Sequence, residues 1–438
     1  MKDTEVTERR ALLYCTFNGV ANCTNGIARQ TQTLLSAFEH RREELFTNAG
    51  RFDLHVAIPA PGPYMWGYDP ALLARSRARL STSGAFLHFL DPGPASEFWS
   101  LPVWEHLSRQ ASALAVRLAG DYDQVLLIAM DTPYAGTGGH LASLRTPASE
   151  GVRVLVALYG TALLHRTNEP GRLEWEKAAI TSTGDPRVRV GDVGDFFTRH
   201  LVEDYGLPPE RLVPYTSSLD LSAADLRPLP RDHAHQILDS YGVPLDRPIV
   251  AAFGRTDPVK GMDLLINALG PLAHRVHLAA VVVPFHNRDP LLQRYRDQIR
   301  AAGLRATLVP RFTRDLPRAL CSVPITRTVV CPSRSETLAN VPFEVACWAR
   351  QGGPVVTAPR LGGFIEQIRH GTTGRLYPPD RTSALTDAVS EALTLPASRL
   401  ERMRSAAHAE VAANRDIVPN LSATLRTFWS GRADGALT

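Results

Sequence analysis

The chain has 438 residues, 44% of them hydrophobic, and a formal net charge of +4 from 48 Lys and Arg against 44 Asp and Glu. That length supports two or three domains with buried cores, and a mild charge without a basic block argues against a nucleic-acid partner. The five cysteines, odd in number and without CxxC or Cys/His spacing, argue against a disulfide framework or zinc site and fit a reducing cytoplasm.

In chain order, Met1-Lys2-Asp3-Thr4-Glu5 is too acidic and polar for a signal peptide. No apolar run approaches the ~18 residues of a membrane span. Short apolar runs at 11–17, 54–58, 86–90, 125–129, 152–158 and 188–190 predict strands, alternating with amphipathic helices such as 27–38. After the first run, Asn25-Gly26 opens a helix whose amide end faces a phosphate or a polar acceptor, or is a tight strand-to-helix turn. Asp121-Tyr122-Asp123 spells DxD but precedes a strand, so it reads as a solvated loop. Asp131 follows the fourth run, placed to touch an acceptor hydroxyl or amine, or to cap the next turn.

Prolines cluster between 208 and 248, marking the end of one domain (1–215) and a linker region (216–247) with a short helix at 233–241. Runs at 249–253, 278–283, 307–309, 328–331 and 354–357, with helices at 262–269 and 291–302, predict a second domain over 248–415. The chain then turns helical at 383–393, 397–414 and 421–429. The class is α/β: two Rossmann-like doubly wound domains facing a central cleft, with ligands at the carboxyl ends of the strands.

Three motifs fall at strand ends of the second domain. Lys260, one of three lysines among 45 arginines, lies in Gly254-Arg255-Thr256-Asp257-Pro258-Val259-Lys260-Gly261, so two cations can flank one polyanion there. Glu336 and Glu344 lie eight residues apart across a helix start near Val341. That is roughly 12 Å if fully helical, about the separation of the two sugars of a nucleotide diphosphate sugar. One carboxylate would hold the transferred sugar and the other the ribose, with helix N-terminal amides meeting phosphate between them. The third is Gly362-Gly363 after the run at 354–357, where backbone approaches a ligand or a neighbouring strand closely.

The strings NGIARQTQTLL, GRTDPVKG, ETLANVPFE and GGFIEQIRHGTTGRLYPPD together resemble the GT4 family of glycosyltransferases, whose members have the GT-B fold. The match is dense over 249–380 and looser before. The resemblance implies a retaining, metal-independent transferase using a nucleotide diphosphate sugar (GDP or UDP) and no other cofactor. It implies an N-terminal acceptor domain, a C-terminal donor domain and a terminal helix (416–438) crossing back to the first domain. Arg255 and Lys260 would bind the diphosphate and stabilise the leaving group, Glu336 the donor sugar and Glu344 the ribose. Gly26, Thr337, Leu338, Ala339 and Asn340 would complete the donor site, with Arg255, Lys260 and Glu336 catalytic. Acceptor candidates are Asn25, Asp131, Tyr159, Thr161 and His165.

The chain departs from the family pattern at three places. Asn25 stands where a first glycine is common, Tyr159 stands where a histidine is common, and the segment 348–353 is some three residues longer. Arginine-rich, lysine-poor usage points to a high-GC bacterium. There a small polar acceptor, such as an aminocyclitol or a low-molecular-weight thiol of natural-product or small-thiol biosynthesis, is the leading expectation. A membrane-lipid acceptor met through Arg75, Arg77 and Arg79, a nucleotide-sugar epimerase, and a silent nucleotide-sugar-binding protein are the alternatives. Stable membrane association and nucleic acid are not expected, and oligomeric state is not legible.

Overall fold

The computed structural model describes residues 8–23, 25–93, 99–144, 146–165, 169–284, 289–381 and 383–430, so the N-terminal pentapeptide read above lies outside the described residues. The chain forms two units: the chain up to Asp220 together with the segment from Asp416, and Leu221–Arg415.

The first unit is built on a seven-stranded sheet: β1 (Arg10–Cys15), β2 (Asp53–Pro59), β3 (Phe86–Leu90), β4 (Gln124–Met130), β5 (Val152–Ala157), β6 (Val188–Asp192) and β7 (Leu212–Pro214). All pairings are parallel, in the order β3-β2-β1-β4-β5-β6-β7. Alternate residues feed opposite cores. Leu13, Leu127 and Val154 pack on one face, and Leu12, Leu126 and Leu155 on the other. Burial on both faces is why these strands read as continuous apolar runs rather than alternating ones.

The second unit has six parallel strands: β8 (Ile249–Arg255), β9 (His277–Val283), β10 (Ala306–Val309), β11 (Thr326–Val330), β12 (Val355–Pro359) and β13 (Arg375–Tyr377). Their order is β10-β9-β8-β11-β12-β13. β7 and β13 escape a periodicity reading because each is three residues long and forms a sheet edge, where a run of apolar residues is not required.

The region expected as a linker is otherwise. Residues from Leu221 belong to the second unit, with Leu226, Leu229, Ala234 and Leu238 buried. Its prolines start elements rather than loosen the chain: Pro230 precedes the helix Arg231–Ser240. Trp348 Nε1 donates to the Asp225 carbonyl at 2.8 Å, and Arg318 Nε to that of Arg227 at 2.7 Å.

The terminal helix runs Ile417–Trp429, starting earlier than 421 because Pro419 sits in its first turn, where a missing N–H costs nothing. Leu421, Leu425 and Trp429 join the core of the first unit, with the Trp429 ring centroid 5.2 Å from that of Phe52.

Candidate functional site

In each sheet the strand order reverses once, between β1 and β4 in the first unit and between β8 and β11 in the second. Loops leaving the carboxyl ends of those adjacent strands diverge to opposite faces of the sheet, and the crevice they leave is where doubly wound sheets take ligands. The motifs read from sequence sit at these two points.

In the second unit, β8 ends in Arg255 and runs through the turn Pro258–Lys260 into the helix Met262–Leu269. The Asp257 carboxylate holds the turn, accepting from the Val259 amide at 3.0 Å and pairing with Arg255 at 2.9 Å. Gly261 has φ 65°, and a Cβ there would overlap the Pro332 carbonyl, so the turn presses directly against the segment leaving β11. Arg334 locks the two together. Its amide donates to the Val259 carbonyl at 2.7 Å, and its guanidinium grips both Asp263 oxygens at 2.8 and 2.7 Å. The hydrogen bonds from Arg334 hold the Asp263 carboxyl below the usual carboxylate range, against the cost of its burial.

That clamp brings Lys260 Nζ to 2.6 Å from Glu336 Oε2, the two side chains 28% and 12% exposed. The Ser333 hydroxyl lies 3.5 Å from the same oxygen. Glu336 stands in the loop before the helix Asn340–Trp348, so the Glu336/Glu344 pair is not carried on one continuous helix. Glu344 is half-buried in that helix, and its charge helps push the buried Cys321 thiol upward, behind the larger effect of burial.

The Gly362-Gly363 turn supports the Glu336 loop. Gly363 donates to the Glu336 carbonyl at 3.0 Å, and a Cβ at Gly362 or Gly363 would overlap the carbonyl of Glu336 or Thr337. Gln367 closes the arrangement: its side-chain oxygen accepts from the Ala339 amide at 3.1 Å and its nitrogen donates to the Ala339 carbonyl at 2.6 Å. The Ala339 amide, expected to face the donor, is therefore engaged within the protein. Thr337 and Leu338 are buried, which leaves their backbone as the group able to face a ligand. The helix after them has no side-chain cap among the described residues.

In the first unit, the Asn25 carboxamide caps the helix Gly26–His40, accepting from the Ala28 amide at 3.0 Å. Gly26 is exposed at its start. The glycine this loop requires is Gly19, at φ 105° and packed so closely on Thr31 that a Cβ would overlap it. Asp131 follows β4 at the switch point and is half-buried. Thr161 is fully buried, its hydroxyl 2.7 Å from His200 Nε2, so it packs and starts a helical turn rather than meeting an acceptor. The Tyr159 phenol is turned inward among Tyr14, Tyr215 and Ser217, and burial pushes it up. His165 lies with its ring against Gly160, where a Cβ would overlap the imidazole.

Asp121 and Asp123 lie before β4, at the opposite end of the sheet from the switch point, and Asp123 accepts from the Arg9 amide at 2.7 Å. Among the described residues no group of three or more His, Cys, Asp or Glu is arranged to hold a metal ion, and no helix is long and apolar enough to cross a membrane. In the arginine-rich helix Pro70–Thr82, Arg79 pairs with Glu39 at 2.6 Å, Arg75 approaches Asp69 at 3.9 Å, and Arg77 lies over the Phe89 ring at 4.9 Å.

Comparison with known proteins agrees with this geometry. Residues 235–410 match the family of glycosyl transferases group 1. The chain is 28% identical over 368 residues to the D-inositol 3-phosphate glycosyltransferase of Acidothermus cellulolyticus, covering 80% of this chain and 73% of that one. It is 30% identical over 177 residues to the 2-deoxystreptamine N-acetyl-D-glucosaminyltransferase of Streptomyces fradiae, 40% of each chain. Further inositol-phosphate transferases align over 58%, 48% and 46% of their own length, about half. In structure it resembles Anabaena Alr3699/HepE in complex with UDP-glucose, with a TM-score of 0.67 at 16% identity over 96% of this chain and 99% of that one. With a group 1 domain in its second unit and doubly wound sheets in both, the chain belongs to the glycosyltransferases of the GT-B fold.

Proposed function

We propose that the chain transfers a sugar from a nucleotide diphosphate donor to a small polar acceptor, with retention of configuration and without a metal ion. The observation that carries this reading is the Lys260–Glu336 pair at 2.6 Å, held at the switch point of the second sheet. An ammonium beside a carboxylate is what a sugar diphosphate requires, a cation for the phosphate and an acceptor of hydrogen bonds for the sugar hydroxyls. Arg255 and Lys260 bind the diphosphate and meet the charge that develops as it leaves. Glu336 orients the sugar, Glu344 binds the ribose, and the backbone of 337–340 with Gly26 lines the donor. Asn25, Asp131 and His165 are the acceptor residues.

Electrostatic stabilisation by fixed donors is the main catalytic contribution in such a site. In the reaction, the bond from the anomeric carbon to the β-phosphate oxygen breaks. A bond to the acceptor forms on the same face, and the acceptor's proton passes to the departing phosphate. The relatives support a small acceptor, one being named for inositol 3-phosphate and one for 2-deoxystreptamine. The HepE complex with UDP-glucose supports a nucleotide-sugar donor.

The test is release of nucleoside diphosphate from UDP- and GDP-sugars with and without cyclitol acceptors. Release that rises at least tenfold with acceptor is expected. Nucleotide-sugar interconversion independent of acceptor would replace this reading with an epimerase.

A further inference from the structure

Asp131 has φ 65° and ψ −177°, and it is the one non-glycine residue at positive φ among those described. That region of backbone space is essentially reserved for glycine and costs a side chain on the order of 1–3 kcal/mol. The conformation is held from several sides. The Asp131 amide donates to the Ala157 carbonyl at 2.9 Å, extending the β4–β5 ladder, and its carbonyl accepts from the Tyr134 amide at 3.1 Å. Trp175 Nε1 fixes the Thr132 carbonyl at 2.8 Å, and Arg172 reaches the Thr132 hydroxyl at 3.2 Å. Glycine would sit here without strain, so a carboxylate is retained against a backbone cost.

The charges around it are unbalanced. Arg172 is buried and already engaged, with Glu176 at 2.7 Å and Glu169 at 2.7 Å. Glu176 is fully buried and also accepts from the Tyr205 hydroxyl at 2.6 Å and the Ala162 amide at 2.9 Å. One guanidinium thus serves three carboxylates, Asp131, Glu169 and Glu176. No Lys, Arg or His among the described residues forms an ion pair with Asp131. Burial raises the Asp131 carboxyl above its ordinary value, with the Arg172 charge and the Thr132 and Tyr159 amides opposing it. The carboxylate stands at the end of β4, directly beside β1 where the strand order reverses.

We propose that Asp131 is the docking carboxylate for a protonated amine on the acceptor, and that the site selects aminocyclitols over cyclitol phosphates. This rests on the transferase reading above and adds the acceptor's charge. An ammonium completes the missing pair, whereas a phosphate meets two surplus negative charges. The buried arginine that would otherwise attract phosphate is neutralised by its glutamates.

The experiment measures binding of 2-deoxystreptamine and of myo-inositol 1-phosphate to the full chain by calorimetry, without donor, for the native protein, Asp131→Asn and Asp131→Gly. UDP- and GDP-induced melting shifts are recorded in parallel. The native protein is expected to bind the aminocyclitol at least tenfold more tightly than the phosphate. Both variants are expected to lose that preference with nucleotide shifts unchanged, and Asp131→Gly to melt higher than the native protein. Equal aminocyclitol binding by all three proteins, or a native preference for the phosphate, overturns the proposal while intact nucleotide shifts leave the transferase reading standing. Absence of any nucleotide shift in the native protein overturns both.

Discussion

At the scale of residues, the Lys260–Glu336 pair sets a competition. Each group that the donor needs is occupied by the other at 2.6 Å. Binding therefore exchanges one charge-assisted contact for two, with the diphosphate taking Lys260 and the sugar hydroxyls taking Glu336. Each such contact contributes about 1.5–3 kcal/mol, so the surplus after exchange is modest. Glu336→Gln removes the competitor for Lys260 and weakens the sugar contact. Free UDP or GDP is expected to bind this variant several-fold more tightly than the native protein, while transfer falls at least tenfold. Titration calorimetry beside turnover checks both, and weaker nucleotide binding in the variant would show that Glu336 does not hold Lys260 back.

Much of this was legible. Lys260 stands out as one of three lysines, and Glu336 by its spacing from Glu344. Arg334 and Asp263, which bring Lys260 and Glu336 together, were not. One arginine among 45 carries no compositional signal, and its partner is 71 positions away in sequence. Thr161 and Tyr159 were placed at the right strand end, but a sequence does not say which way a side chain turns, and both turn inward.

At the scale of elements, the strands were found by their continuous apolar runs, and the short edge strands β7 and β13 were missed for want of them. An element-level feature outside the motifs lies at the amino-terminal end of β2 and β3. His55 on β2 stacks on Phe86 and places Nδ1 3.0 Å from His88 Nε2 and Nε2 3.1 Å from the Tyr122 hydroxyl. The Tyr122 hydroxyl in turn donates to Asp53 at 2.7 Å, beneath the Arg9 guanidinium.

Burial, then the neighbouring His88, lowers His55 from 6.5 to about 4, with Asp53 opposing, and burial and Arg117 lower His88. The unfolded chain takes up protons near pH 6.5 that the native pair refuses. Stability from this source is therefore complete above about pH 6.5 and is lost as pH falls toward 4. Discounted for partial solvent exposure, the loss is on the order of 1–2 kcal/mol. His55→Gln is expected to flatten the fall in melting temperature between pH 6.5 and 4. An unchanged slope would show that the pair protonates freely in the folded state.

At the scale of the whole molecule, the chain leaves its first unit at Asp220 and returns to it at Asp416. Arg41 marks both crossings, lying 2.6 Å from Asp416 and 3.6 Å from Asp220. The Leu219–Asp416 bridge, together with the amide of Ile417 donating to the Leu219 carbonyl at 2.9 Å, stitches the same two segments. The two-unit plan was legible from two sets of apolar runs. The boundary at 221 was not, because proline-rich sequence reads as linker whether its prolines loosen a chain or begin its helices.

The central claim is that the second unit holds a nucleotide diphosphate on Lys260. Its most direct test is the melting temperature of the native chain and of Lys260→Ala with UDP and with GDP at saturating concentration. A ligand that binds the native state alone raises it by mass action, by about 2.7 kcal/mol of stability at 100 times its Kd. At least one nucleotide is expected to raise the native melting temperature by several degrees. Lys260→Ala is expected to melt like the native protein without ligand and to lose most of that shift. A full shift in Lys260→Ala, or none in the native chain with either nucleotide, would contradict the account.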